Sequence, residues 1–292
     1  MPKLEKKMTT EGRLQDAPDW RRARRACAKG LADTIRELSL QTDIDERRVV
    51  AEWMRHVSHG GDFSRGGWYY PPPFGAAVLA GSYPGFERLG FSSLRDPSYF
   101  SDGARIDWRR GAMFAYCSNV HLPSGFPSDF SLTLYFGDEQ RIVDHFVNCR
   151  AATKCIVELA MKERSSRNLF LAATRVLSEF GLKNVIQSNT DAATVDIGHS
   201  LEPAKDIQVQ PNGTLSQGTC NSISQSRQFI NAFVDWDLSE VATFTIEPQL
   251  VSVRDRQLPK VTFHYTMSKR FHEAIVDDPM DFFSFGIGMA FR

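Results

Sequence analysis

Two stretches of the chain place an acid or a histidine on the polar side of an alternating pattern. In VATFTIEPQL, residues 241–250, Glu247 shares its strand face with two threonines, and the bulky apolar residues between them point the other way. In VTFHYTM, residues 261–267, His264 takes the equivalent place. A carboxylate and an imidazole on neighbouring strands can bind a metal ion or transfer protons. The plain alternative is an ordinary hairpin whose polar face meets solvent.

Further candidate residues lie earlier in the chain. Residues 112–120 and 128–137 are predicted to form a hairpin, and Asp129 lies on its second strand with hydroxyl side chains on the same face. His199 lies in the segment DIGHSLEP, residues 196–203. His121 stands beside the turn of the first hairpin, where it is a candidate acid–base catalyst if it faces a pocket. A histidine on the surface is the alternative.

Helices and short strands must position these residues. Apolar spacing predicts helices over residues 19–38, from residue 42 or 43 onward, and over residues 148–163 and 167–180. Residues 76–80 are predicted to form a buried strand, and RRARR, residues 21–25, a solvated helix face. Residues 1–18 are polar and are expected to be flexible. Because no linker or repeat divides the remainder, residues 19–292 are predicted to form one α+β domain.

Composition narrows the class of protein. The 292 residues include 35 basic and 35 acidic side chains, so no overall field favours nucleic acid or an anionic membrane as a partner. The 5 cysteines have no CxxC spacing, which favours a reducing compartment over a disulfide framework. No run approaches a membrane span, and we expect a cytoplasmic protein. P-loop, GxGxxG and GxSxG patterns are absent, which disfavours nucleotide binding and serine hydrolysis.

The order of these motifs resembles a known architecture. TDIDERRVVAEW, then GFPSD, IGHS and FTIEPQL follow one another as in the pita-bread fold of methionine aminopeptidases, prolidases and creatinases. GFPSD is similar to the GY-x-SD of that superfamily, IGHS to its GHG-x-G, and FTIEPQL to its FTIEPG. The resemblance covers roughly residues 20–270. It implies an α+β fold with a curved antiparallel sheet flanked by two helix pairs.

The resemblance also implies a ligand set. Hydrolases of this superfamily usually hold two divalent ions with five side chains, of which the second Asp falls on Asp129, the His on His199 and the first Glu on Glu247. The first Asp falls on Ser118 and the last Glu on His264, so two ligands have changed. One ion held by the remaining two carboxylates and two histidines is therefore expected. Fe(II) is favoured, with Mn(II) and Zn(II) as alternatives, because two histidines with carboxylate suit non-haem iron.

Three functions are compatible with this ligand set. The first is a hydrolase or lyase that cleaves a C–N or C–X bond of a small amino-acid-like substrate with one metal ion. The second is a mononuclear non-haem iron oxidase or oxygenase. The third is a metal-free member that acts by acid–base chemistry or serves as a binding module. We place bond cleavage first because the superfamily mostly performs it, and we expect a homodimer.

Overall fold

The computed structural model describes residues 19–59, 61–69, 72, 75–96, 98, 103–187, 194–239, 243–270 and 273–283. The segment 1–18, predicted to be flexible, lies outside the described residues. None of the described helices is both long enough and apolar enough to span a membrane.

The first helix pair follows the predicted apolar stripes. Helix α1 is Asp19–Leu38, as predicted, and its Leu31 and Ile35 are fully buried. Helix α2 is Glu46–Val57, and it begins later than predicted because Asp45 caps it by accepting a hydrogen bond from the Arg48 N–H at 2.8 Å. The two helices pack against each other and α2 packs on strand β2, Ala76–Ser82.

The second pair consists of helices α4, Gln140–Lys162, and α5, Ser166–Glu179, and a single turn, α3, Phe91–Leu94, precedes it. Helix α4 begins at Gln140 rather than at the predicted residue 148, so the stripe of apolar residues in its first two turns was missed. Helix α5 lies within one residue of its prediction, with Ser165 as its N-cap. Helix α6, Gln217–Gln225, and a 3-10 turn, Pro279–Phe282, follow later in the chain.

All strand ladders among the described residues are antiparallel. Strand β3, Gly111–Cys117, pairs with β2 on one side and with β5, Phe130–Tyr135, on the other, which confirms the first predicted hairpin. Isolated bridges from Leu132 to Phe263 and from Ser200 to Phe244 join the smaller sheets. The remaining strands are β1 Phe63–Gly67, β4 Asn119–His121, β6 Leu182–Asn184, β7 Asp196–His199, β8 Phe229–Asn231, β9 Phe244–Ile246, β10 Gln249–Ser252, β11 Val261–Thr262, β12 Tyr265–Arg270 and β13 Glu273–Asp277.

The second predicted hairpin is also present, but each of its strands is interrupted. Strand β9 pairs with β12 and β10 pairs with β11, so the ladder breaks at Glu247 and again at His264. Both faces of this hairpin are buried: Thr245, Thr262 and His264 are each 0% exposed. The alternative of a half-solvated hairpin is therefore wrong. Because the polar face is enclosed, its side chains must find partners within the protein or in a bound group.

Candidate metal centre

The four predicted ligands lie where regular strands stop. Asp129 directly precedes β5 with a φ of +40°, and His199 is the last residue of β7. Glu247 directly follows β9, and His264 separates β11 from β12. All four side chains are buried, with relative exposures between 0% and 5%. Side chains from four separate segments of the chain therefore meet at these strand ends.

The distances between these side chains are those of a compact cluster. Nε2 of His199 lies 3.1 Å from Oδ2 of Asp129 and 2.9 Å from Oε1 of Glu247. Nδ1 of His264 lies 3.2 Å from Oε2 of Glu247 and 3.1 Å from the Ser131 hydroxyl. Candidate ligand atoms of Asp129, Glu247 and His264 all lie within 4.8 Å of one another. Glu247 is therefore the central side chain, with one oxygen toward each histidine.

Neighbouring groups fix the orientation of His199. Its Nδ1 lies 2.7 Å from the carbonyl oxygen of Ser200, so Nδ1–H donates there and the lone pair of a neutral ring is left on Nε2. The hydroxyl of Thr245 accepts the His199 backbone N–H at 3.0 Å and lies 3.4 Å from Oε1 of Glu247. Gly198 makes this approach feasible, because a Cβ there would lie 2.0 Å from the Thr245 carbonyl oxygen and φ is +154°.

A buried arginine supports the cluster from behind. Arg24 of α1 is 0% exposed, and its guanidinium donates to the carbonyl oxygens of Asp129 and His264, the latter at 2.5 Å. Its Nε lies 3.5 Å from Oδ2 of Asp277 on β13. The prediction that RRARR forms a solvated face is thus wrong for Arg24, because this helix face packs against the strands that carry two of the candidate ligands.

A second arginine contacts the cluster directly, and no motif in the sequence marks it. Arg227 forms an ion pair with Oδ2 of Asp129, and its guanidinium lies 4.0 Å from the centre of the Trp68 ring. Burial raises the pKa of Asp129, but Arg227 and then His199 outweigh burial and hold that pKa far below its usual range. Asp129 is therefore ionised at every pH of interest.

The histidines differ in their ionisation. Burial and Arg227 lower the pKa of His199, yet Asp129 and Glu247 outweigh them and raise it to about 9. Burial lowers the pKa of His264 to about 3, despite the opposing charge of Glu247. Burial raises the pKa of Glu247, and the two histidines together bring it below its usual value. In the metal-free protein His199 thus carries a proton that an arriving ion must displace, whereas His264 is already neutral.

The cluster opens on a small cavity of about 40 Å³, which has room for a very small group. Three carboxylates reach it, because Asp196 of β7 joins Asp129 and Glu247 in its wall. The remaining described lining consists of Tyr69, Phe91, Arg95, Tyr116, Ile186, Gln187, His199, Arg227 and Phe229. Sequence reasoning missed Asp196, although it lies in the same DIGHSLEP segment as His199.

Two other residues considered in the sequence lie outside the cluster. His121 does not line this cavity: its Nδ1 lies 2.7 Å from the Ser124 hydroxyl and its ring packs 5.2 Å from that of Phe63. Its catalytic role gains no geometric support. Ser118, where the first Asp was expected, donates its hydroxyl to the Gly75 carbonyl at 3.1 Å. It offers no carboxylate to a second ion.

Solved structures share this architecture. An X-Pro aminopeptidase from Thermotoga maritima superposes with a TM-score of 0.58 at 11% identity, covering 92% of this chain and 61% of that one. The chain has the pita-bread fold. A prolidase from Pyrococcus furiosus gives a TM-score of 0.51 at 14% identity, with coverage of 88% and 62%. A zinc-substituted aminopeptidase P from Escherichia coli in complex with product gives a TM-score of 0.52 at 12% identity. The match covers 93% of this chain and 57% of that one.

The predicted fold class is thereby confirmed. Neither a protein-family model nor a curated protein matches the sequence. The pita-bread chain spans about three fifths of the length of the structures named above. At these identities the likeness concerns the fold, and the chemistry has to be argued from the side chains.

The side chains fit a metal ion. Nε2 of His199 and Nε2 of His264 are buried and have no aligned hydrogen bond among the described residues. Nε2 of His199 nevertheless lies within 3.1 Å of two carboxylate oxygens, as expected where donor atoms converge on one point. Two imidazoles and two carboxylates form a donor set that suits a divalent transition metal.

Proposed function

We propose that this protein is a metal-dependent enzyme that holds one transition-metal ion with Asp129, His199, Glu247 and His264. The proposed reaction is cleavage of a C–N or C–X bond in a small amino-acid-like substrate, by hydrolysis or elimination. The observation that carries the proposal is the convergence of His199 Nε2 on Asp129 and Glu247 at 3.1 and 2.9 Å in a buried site. Its Nδ1–H is already committed to the Ser200 carbonyl, which leaves Nε2 free to ligate.

A single ion agrees with three features of the site. Ser118 offers a hydroxyl in place of a carboxylate, and the imidazole of His264 cannot bridge two ions. In addition, the guanidinium of Arg227 already lies against Oδ2 of Asp129. A second cation beside Asp129 would meet this positive charge at close range.

The bound ion would act as a Lewis acid that polarises a carbonyl group or lowers the pKa of water. The residues of the chain supply the surroundings for that step. Arg227 keeps Asp129 ionised, and the tyrosine and phenylalanine rings of the cavity keep bulk water away from the bond that breaks. Glu247 lies between the two histidines, where its carboxylate orients both rings. The small cavity limits the reacting group to a few atoms.

A mononuclear iron oxidase or oxygenase is the second candidate. It is favoured by one feature of the donor set, namely that an imidazole stands where the resembling hydrolases have a carboxylate. Imidazole with carboxylate is the usual environment of non-haem Fe(II) in oxygen chemistry. A cytoplasmic location, a homodimer and the role of His121 are further proposals from the sequence.

The two candidates differ in their need for oxygen. Protein reconstituted separately with Fe(II), Mn(II) and Zn(II) is incubated with amino-acid amides and dipeptides, in air and under strict anaerobiosis. Bond cleavage without oxygen in the wild type, and none in His264→Ala, is the expected result. Product formation only with consumption of oxygen would replace the hydrolase by the oxidase. If neither reaction occurs and no metal binds, the remaining candidate is a metal-free binding module.

A further inference from the structure

One acidic side chain of the cavity has no role in the four-residue cluster. We propose that Asp196 binds the positively charged amino group of the substrate, so that the protein selects substrates with a free amine. This assignment deepens the proposed function and rests on it for the substrate class. Asp196 would form a subsite next to the proposed metal ligands, and it is not one of the residues to which the resembling motifs give a role.

The local backbone aims Asp196 into the cavity. In a regular strand, residues three apart point to opposite faces, so Asp196 and His199 would not meet. The pairing of β7 with β8 shifts register between these two residues, and Gly198 lies between them with a φ of +154°. This bulge re-aims the side chains, and both line the same cavity.

The carboxylate of Asp196 forms no ion pair with another side chain among the described residues. The residue is 2% exposed, and its Oδ2 is buried without a hydrogen-bond partner in the part of the chain that the structure describes. The backbone N–H of Gly198 donates a hydrogen bond to the Asp196 carboxylate. Burying an ionised oxygen without a partner is costly, so such a group needs either a proton or a cation beside it.

The two arginines that line the cavity contact groups other than Asp196 in the part of the chain that the structure describes. Arg227 pairs with Asp129 and stacks on Trp68, while Arg95 donates to the backbone carbonyl of Gln187. Neither guanidinium forms an ion pair with Asp196 among the described residues. Burial first, and then the charge of Glu247, raises the pKa of Asp196 to about 7, although the charges of His199 and Arg227 oppose this rise.

The shape and the walls of the cavity suit an ammonium group. Its volume of about 40 Å³ fits a group of that size. The rings of Tyr69 and Phe91 each meet that of Tyr116 edge-on, with centroid separations of 6.0 Å, and Phe229 closes another side. These rings exclude water that would otherwise solvate the charge of a bound cation. A buried carboxylate oxygen without a partner, beside aromatic rings, is the chemistry that recognises an amine.

The test uses methylammonium chloride as the probe and sodium chloride at equal concentration as the reference. Thermal unfolding midpoints are measured for wild type, Asp196→Asn and the control Asp138→Asn, which removes an exposed carboxylate. Each sample is assayed after metal reconstitution, and its metal content is determined in parallel. Methylammonium is expected to raise the midpoint of wild type and Asp138→Asn. For Asp196→Asn the half-saturating concentration is expected to rise about tenfold or more.

Two outcomes would overturn the assignment. An equal response of Asp196→Asn and wild type would show that the amine does not bind at this carboxylate. Loss of metal in Asp196→Asn to the same extent as in Asp129→Asn would make Asp196 a metal ligand instead. The assay needs no turnover, so failure of the proposed bond cleavage would appear separately as an inactive protein that still distinguishes methylammonium from sodium.

Discussion

The ionisation of His199 makes a measurable prediction about the metal-free protein. The pKa of this imidazole is about 9 in the folded protein against 6.5 for an ordinary histidine. Because the folded value is the higher one, the stabilisation is present in full below pH 6.5 and is lost as the pH rises through 9. One pKa unit corresponds to about 1.4 kcal/mol, so wild type should lose about 3 kcal/mol of unfolding free energy over that window.

Urea denaturation in the presence of a chelator measures this loss between pH 6.5 and 9.5, a range built around the two pKa values. Asp196 also favours its protonated form, but with a pKa of about 7 its effect is largely over above pH 8. The buried Cys27 and Cys149 have raised pKa values and add a decline at the alkaline end. His199→Gln isolates the histidine, because the thiol contribution remains in that variant.

Over this pH range, wild type is expected to lose about 3 kcal/mol more of its unfolding free energy than His199→Gln. Saturating metal should abolish the difference, since a ligated imidazole carries no proton to lose. Parallel curves for the two metal-free proteins would refute the ion pairs of His199 with Asp129 and Glu247.

Three further variants test the supports of the site. Arg24→Met should weaken metal binding and lower the unfolding free energy, measured in urea titrations, by about 3–5 kcal/mol. The exposed Arg36→Met on the same helix should change neither quantity. Equal losses in the two variants would show that Arg24 does not support the site. Gly198→Ala should lower the thermal midpoint and the metal affinity, because its Cβ would lie 2.0 Å from the Thr245 carbonyl oxygen. Gly218→Ala is the control, because its Cβ would meet only the Ser216 hydroxyl, at an ordinary contact distance of 3.7 Å. The double variant Ser118→Asp, His264→Glu should bind up to two metal ions per chain, counted by elemental analysis. A count that stays at one ion would show that Arg227 alone excludes the second ion.

Much of the fold followed from local patterns. Apolar stripes located the helix pairs, alternation located both hairpins, and the order of GFPSD, IGHS and FTIEP indicated the pita-bread arrangement. The boundaries missed at α2 and α4 depended on the choice of capping residue and on a weak first stripe. Alternation also gave the relative side of Glu247 and His264 correctly, because both strands keep their parity as far as the break in the ladder.

The environment of the site was not predictable in the same way. Alternation shows that a face is polar but not what covers it, so the burial of His264 and Thr262 was unforeseen. Arg24 and Arg227 reach Asp129 from 105 and 98 residues away, and no local pattern marks a contact of that range. Asp196 was missed because strict alternation places it opposite His199, and only the bulge at Gly198 reverses that.

The number of metal ions per chain tests the proposed mononuclear site directly. Protein is purified anaerobically, reconstituted with Fe(II), freed of weakly held metal by gel filtration and analysed for its elements. Wild type is expected to retain one ion per chain, Asp129→Asn and His264→Ala are expected to lose it, and the exposed Asp138→Asn is expected to match wild type. Two tightly held ions in wild type, or a full complement retained by His264→Ala, would contradict a mononuclear site built on these four residues.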